Sequence, residues 1–317
     1  MAKGVPAVTA RKVRKLLCLH GYTQNATVFR KRTAVFRKDI STHYELEFVT
    51  APHQANVPAR TDATNVLSML SKTLNDGSRN GSSEDTDEQR AWWVASDCGT
   101  VYQGLDESLK MLEQVWHSRG PFDGILGFSQ GATMAWLLAG YLHRTYRVKL
   151  QAEPLSNTDA GAFNTSLDDQ SKSASAIPLM VVAVSGFVPK SDHGLALIKD
   201  AGEAKIRGLH IIGRSDTWVD PIRSEQLAMM LKSISSSCTS TLLESPLALK
   251  TNSQESPNDH QMMMNESNPA SPTTTCESNG IDGPIQSILY HDGGHFVPTD
   301  AAMRCKIKEW LFTTVST

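Results

Sequence analysis

The sequence predicts an α/β fold, a mostly parallel sheet with helices on both faces. Two observations point there. Short apolar runs alternate with helical patterns along most of the 317 residues. Each helical stretch is also followed by another apolar run, which is how parallel strands must be connected.

Lys15 to His20 reads as a buried strand that stops at Gly21, and Val28 to Ile40 as a basic amphipathic helix. Leu46 to Val49 is the second strand, ended by Pro52. Residues 61–90 are polar and read as an exposed loop or partial helix. Val101 to His117 is helical, Phe122 to Phe128 a strand, and Ser129 to Arg144 a strongly apolar helix. Pro178 to Phe187 is the clearest central strand, with Leu209 to Ile212 the next. Pro221 to Lys232 is a helix with proline in its first turn, where a missing N–H costs nothing. Ile285 to Tyr290 and Ala301 to Phe312 supply the last strand and helix.

Residues 151–177 and 234–283 break the rhythm, being rich in Ser, Thr, Asn, Asp and Pro. Such segments bury too little apolar surface to order themselves. Lengthening a loop eightfold costs only about 1.8 kcal/mol of closure entropy. Both are therefore expected to be surface insertions in a single domain spanning residues 1–317.

Composition narrows the function. Thirty-one Lys and Arg against 33 Asp and Glu give a net charge of −2, which argues against a nucleic-acid surface. No apolar run approaches the ~18 residues of a membrane span. Met1 to Arg14 lacks the apolar core of a secretory signal. The five cysteines are scattered and odd in number, without a CxxC pair, so neither zinc knuckle nor disulfide scaffold is expected. The cytoplasm is the expected compartment, with the nucleus as the alternative. No His/Asp ligand cluster and no GxGxxG after the first strand appear, so no metal and no cofactor are expected.

Gly127-Phe128-Ser129-Gln130-Gly131 is a G-x-S-x-G pattern between an apolar strand and a helix, the setting of a nucleophile elbow. At the helix N-terminus Ser129 would meet partial positive charge. The bland reading is a serine that caps the helix. A serine hydroxyl needs a base, and the base an orienting carboxylate. Asp216 follows the Leu209–Gly213 run and His295 follows Ser287–His291, so both lie just past strand ends and in the order Ser, acid, His. Asp220 and Asp292 are the competing acids; Asp220, against Pro221, suits a helix cap better. His291 is the competing base, and as the last residue of its strand suits a structural role. An oxyanion needs N–H donors. The backbones of Gln130, after the nucleophile, and of Tyr22, in the turn after the first strand, are the candidates. His20 is assigned a bracing role only.

Several of these segments recur together. Leu19 to Asn25, Ala51-Pro52-His53, Arg90 to Trp93, Gly120 to Gly131, Val184 to Phe187 and Gly293 to Pro298 resemble the FSH family of serine hydrolases, the group of the animal ovarian tumour-suppressor-candidate esterase. The resemblance runs from about Arg14 to Leu311, skipping the polar insertions. It implies an α/β-hydrolase fold, hydrolysis of carboxylic esters or thioesters, and a triad of Ser129, Asp216 and His295. It also implies an acyl pocket near Trp92 and Trp93, of which one at most should line the pocket while the other joins the core. Residues 234–283 lengthen the span between acid and base beyond what is usual in the family, and a lid there is one reading. The expected partner is a small acyl ester or thioester. Two alternatives stay open: a thioesterase that offloads acyl chains from a carrier protein, and a non-catalytic binding module on the same fold.

Overall fold

A computed structural model of the chain describes residues 13–56, 88–152, 176–240 and 285–313. Its strands are β1 (Arg14–Leu19), β2 (Tyr44–Val49), β3 (His53–Gln54), β4 (Arg90–Ala91), β5 (Val94–Ala95), β6 (Tyr102–Gln103), β7 (Gly124–Phe128), β8 (Met180–Val184), β9 (Arg207–Gly213) and β10 (Gln286–His291). Its helices are α1 (Ala26–Arg32), α2 (Ala34–Ile40), α3 (Leu105–Arg119), α4 (Gln130–Ala152), α5 (Asp192–Glu203), α6 (Pro221–Ser240) and α7 (Ala301–Thr313).

Six strands form one sheet in the order β10-β9-β8-β7-β1-β2, and every neighbouring pair is parallel. The sheet begins with β1, one strand in from an edge, steps outward to the edge strand β2, and then returns to the other flank of β1 to lay down β7 through β10. Crossovers keep one hand, so reversing the direction of travel sends the helices to opposite faces. Alternate strand residues follow them. Leu17, Leu19, Ile125, Val181 and Ala183 share a core with residues of α3, α4, α5 and α6. Leu16, Cys18, Leu126, Met180, Val182 and Val184 share another with residues of α1, α2 and α7. Because side chains alternate across a strand, strands covered on both sides must be apolar at nearly every position. β7 and β8 are buried at all five of their residues.

Helix starts are fixed locally. Asn25 Oδ1 accepts from Val28 N at 2.9 Å, and Ser191 Oγ from Gly194 N at 3.1 Å. Asp220 Oδ1 accepts from Ile222 N at 2.9 Å, the capping role its place before Pro221 suggests. The expected helix over 28–40 is two helices, broken at Thr33, whose hydroxyl turns back to the Phe29 carbonyl at 2.8 Å. The helix expected from Val101 starts at Leu105, because Tyr102–Gln103 pairs with Val94–Ala95 and Gly104, at φ 82°, turns the chain.

Two expectations about the insertions need correction. Helix α4 runs on through residues 151–152, and α6 through 234–240, all of which the sequence reading placed in surface insertions. The α6 extension survives its serines because their hydroxyls fold back on the helix: Ser235 to Leu231 O at 2.8 Å, Ser236 to Lys232 O at 2.9 Å and Ser237 to Ser233 O at 3.0 Å. Ser235 also donates to Gly202 O of α5 at 3.0 Å, tying two helices together. The remainder of both segments, apart from 176–177, lies outside the described residues, as do residues 57–87. Among the described residues no helix is long and apolar enough to cross a membrane.

Candidate active site

Ligands in open α/β sheets collect at the carboxyl ends of the strands, beside the point where strand order reverses. Here that point is β1 and β7. β7 ends at Phe128, α4 begins at Gln130, and the chain turns on the single residue Ser129 with φ 54°. A left-handed conformation in a residue with a Cβ costs about 1–3 kcal/mol and must be held by its surroundings. Ser129 N donates to Val184 O at 2.8 Å, while Ser129 O accepts from Ala132 N at 2.9 Å and Thr133 N at 3.2 Å. The flanking glycines are steric requirements. A Cβ on Gly127 would stand 2.5 Å from Ala132 Cα, and one on Gly131 2.6 Å from the Leu19 carbonyl carbon.

Asp216 follows β9 and His295 follows β10, as the sequence order suggests. Asp216 Oδ1 accepts from the backbone N–H groups of Trp218 and Val219, both at 2.9 Å. Its Oδ2 lies 2.7 Å from His295 Nδ1, and His295 Nε2 lies 2.9 Å from Ser129 Oγ. A carboxylate on Nδ1 fixes the proton there and leaves the Nε2 lone pair facing the serine hydroxyl. Burial pushes the Asp216 carboxyl up. The His295 hydrogen bond and charge, with the two backbone N–H groups, outweigh it and hold the group below the usual carboxylate range. The competitors lie elsewhere: Asp292 projects fully into solvent and its carboxylate is 3.7 Å from Arg214, while His291 is buried at the end of β10. A cavity of about 480 Å³ borders this loop along Tyr290, His291, Phe296 and Met303. Neither Ser129 nor His295 is among its walls, so it is not where an acyl group would meet the serine.

The two candidate backbone donors, Tyr22 and Gln130, lie in the turns that end β1 and β7. Around Tyr22 the neighbouring N–H groups are committed: Thr23 N to Arg90 O at 3.0 Å and Gln24 N to Gly21 O at 3.1 Å. No backbone hydrogen bond among the described residues uses the N–H of Tyr22 or of Gln130. His20 is wholly buried and braces the turn, as expected. Its Nε2 accepts from Ala51 N at 2.9 Å and its Nδ1 donates to Gly21 O at 2.8 Å. Burial lowers its pKa to about 4, the Gly21 hydrogen bond opposing weakly, so the ring is neutral.

The tryptophans do not divide between pocket and core. Both are buried in the same core cluster. Trp92 Nε1 donates to His20 O at 2.8 Å, and the Trp93 ring stacks on Tyr102 with centroids 4.8 Å apart. Of the phenylalanines around the site, Phe128 is buried and Phe187 half-buried, while Phe296 is exposed and leans on His291 at 5.2 Å. Sequence reasoning missed the side chain of Gln130. Its Oε1 accepts from Trp92 N at 2.9 Å and its Nε2 donates to Trp93 O at 2.8 Å. The available signal was a long amide in the first turn of an otherwise apolar helix, where it must find buried partners.

Among known proteins, the chain is 30% identical over 226 residues to the Drosophila melanogaster esterase CG5412, covering 69% of this chain and 63% of that protein. It is 36% identical over 134 residues to the Danio rerio esterase OVCA2, covering 39% of this chain and 54% of that one. The chain thus spans less than two thirds of the length of these curated relatives. The solved structure of Zea mays acyl-protein thioesterase 2 aligns over 95% of this chain and 94% of that one at 15% identity, with a TM-score of 0.47, a likeness too low to bear on function. The parallel sheet carries helices on both faces, and residues 9–243 match the family described as Serine hydrolase (FSH1). The chain belongs to that family.

Proposed function

We propose that this chain is a single-domain serine esterase that cleaves carboxylic esters or thioesters through an acyl-serine on Ser129. The observation that carries the reading is the relay of two hydrogen bonds, 2.9 Å from Ser129 Oγ to His295 Nε2 and 2.7 Å from His295 Nδ1 to Asp216 Oδ2. Ser129 Oγ bonds to the acyl carbon as His295 Nε2 takes its proton. The carbonyl electron pair moves onto oxygen, where the N–H groups of Tyr22 and Gln130 receive it. Asp216 keeps the ring oriented and offsets its positive charge. Collapse re-forms the carbonyl and expels the alcohol or thiol, which leaves with the proton from His295. Water, deprotonated by the same nitrogen, then releases the carboxylic acid and restores Ser129.

The reading predicts that Ser129→Ala abolishes turnover of a p-nitrophenyl ester while the fold survives, and that a fluorophosphonate labels the parent but not the variant. Full activity in Ser129→Ala would end it. Failure of the probe to label the parent would favour a binding module. Comparing acyl-thioesters with oxygen esters of equal length separates the two leaving groups, and a carrier-bound thioester tests the offloading alternative.

A further inference from the structure

The proposed oxyanion donors sit on two turns that are 108 positions apart in sequence, Tyr22 after β1 and Gln130 after β7. Donors of this kind accelerate a reaction only if their separation is set before the charge develops. The sheet fixes the strands, since Leu19 pairs with Gly127, but both donors lie beyond the last paired residues. Something else must hold the turns.

A third segment, residues 92–93, reaches both. Trp92 Nε1 donates to His20 O at 2.8 Å, the carbonyl two residues before Tyr22. The backbone N–H of Trp92 donates to Gln130 Oε1 at 2.9 Å, and Gln130 Nε2 donates to Trp93 O at 2.8 Å. The far side is closed as well: Ser108 Oγ donates to Trp92 O at 2.6 Å and Ala51 N to His20 Nε2 at 2.9 Å. All of these residues are buried, so the hydrogen bonds do not exchange freely with water.

We propose that the side-chain amide of Gln130 and the indole N–H of Trp92 are positioning groups that set the distance between the two oxyanion donors. The inference rests on the esterase reading and adds a second role to Gln130, whose backbone and side chain serve the same oxygen by different routes. Neither side-chain group touches the substrate. Each acts through the backbone it holds, so its loss should cost transition-state stabilisation more than substrate binding.

Gln130→Met keeps length and backbone N–H but removes the amide; Trp92→Phe removes the indole donor. Each variant is expected to lower kcat on a p-nitrophenyl ester at least tenfold with KM within twofold. Each should also weaken a boronic acid that forms a tetrahedral adduct on Ser129 by a similar factor. The double variant should lose less than the product of the two single losses, because both break one network. A purely structural role would lower the urea midpoint without moving the kcat-to-KM split. A kcat within twofold of the parent, a loss confined to KM, or strictly multiplicative losses would overturn the inference. If Gln130→Met does not fold, kcat, KM and boronate affinity of Trp92→Phe decide. Ser129→Ala separates the two levels: if that variant stays active the esterase reading fails, and if it is dead while Gln130→Met keeps its kcat only the positioning role fails.

Discussion

The two halves of the site are built on different terms. The donor half, at the ends of β1 and β7, is backed by buried side chains: His20 and Trp92 are wholly buried, and hydrogen bonds run from one turn to the other through a third segment. The relay half, beyond β9 and β10, is open at its rim. Asp216 is anchored by two backbone N–H groups, yet Trp218 beside it is 48% exposed and Phe296 beside His295 is 40% exposed. The side chains that hold the donor turns still are packed into the core. Those that must pass a proton and admit substrate and water stand nearer the solvent. Damage should therefore be kinetic alone in the relay half, and both kinetic and structural in the donor half.

The largest effect expected is on the relay side. Asp216→Asn keeps the shape but lets the imidazole settle in the wrong tautomer, and kcat should fall by roughly 10⁴-fold with an unchanged urea midpoint. A loss under tenfold would break the division. On the donor side, Gly131→Ala forces a methyl group against the Leu19 and His20 carbonyls. It should cost about 3 kcal/mol in urea unfolding, and a stable but inactive variant would count against the comparison.

Acid should also act through stability. His20 and His210 are both buried with pKa values lowered from 6.5 to about 4. Between those values the unfolded chain binds protons that the folded chain does not, so stability is full above pH ~6.5 and falls as pH drops toward 4. Each ring accounts for about 3 kcal/mol. Urea midpoints from pH 7.5 to 4.5 should decline, and His20→Gln should make that decline shallower; an unchanged slope would remove His20 from the account. The smallest effect concerns the elbow. Ser129 holds φ 54°, so Ser129→Gly, though inactive, should be more stable than the parent by about 1 kcal/mol. Equal or lower stability would mean the turn is not strained.

Much of this was legible in the sequence, and the reason differs by residue. Ser129, Asp216 and His295 each follow an apolar run, and strand ends are where a parallel sheet presents its side chains to a ligand, so position alone suggested the constellation. Gln130 was legible only as a backbone donor. Its side-chain partners are 37 and 38 positions away, and no local pattern encodes a contact at that range. The pairs β3–β4 and β5–β6 have two residues per strand, too short to display an alternation. The break at Thr33 escaped notice because the apolar stripe continues across it. The extension of α6 escaped because a run of serines reads as loop until their hydroxyls are seen bonded to the preceding turn.

Among the described residues β10 is an edge strand, paired with β9 alone, and His295 follows it. The nucleophile precedes that base by 166 positions. During synthesis, Ser129, the proposed oxyanion donors Tyr22 and Gln130, and Asp216 all leave the ribosome before His295, the proposed base. A nascent chain that has assembled five strands holds a complete cradle and an inert alcohol. On the esterase reading, reactivity would wait for the closing of the sheet, and an unfinished copy could not attack the esters around it.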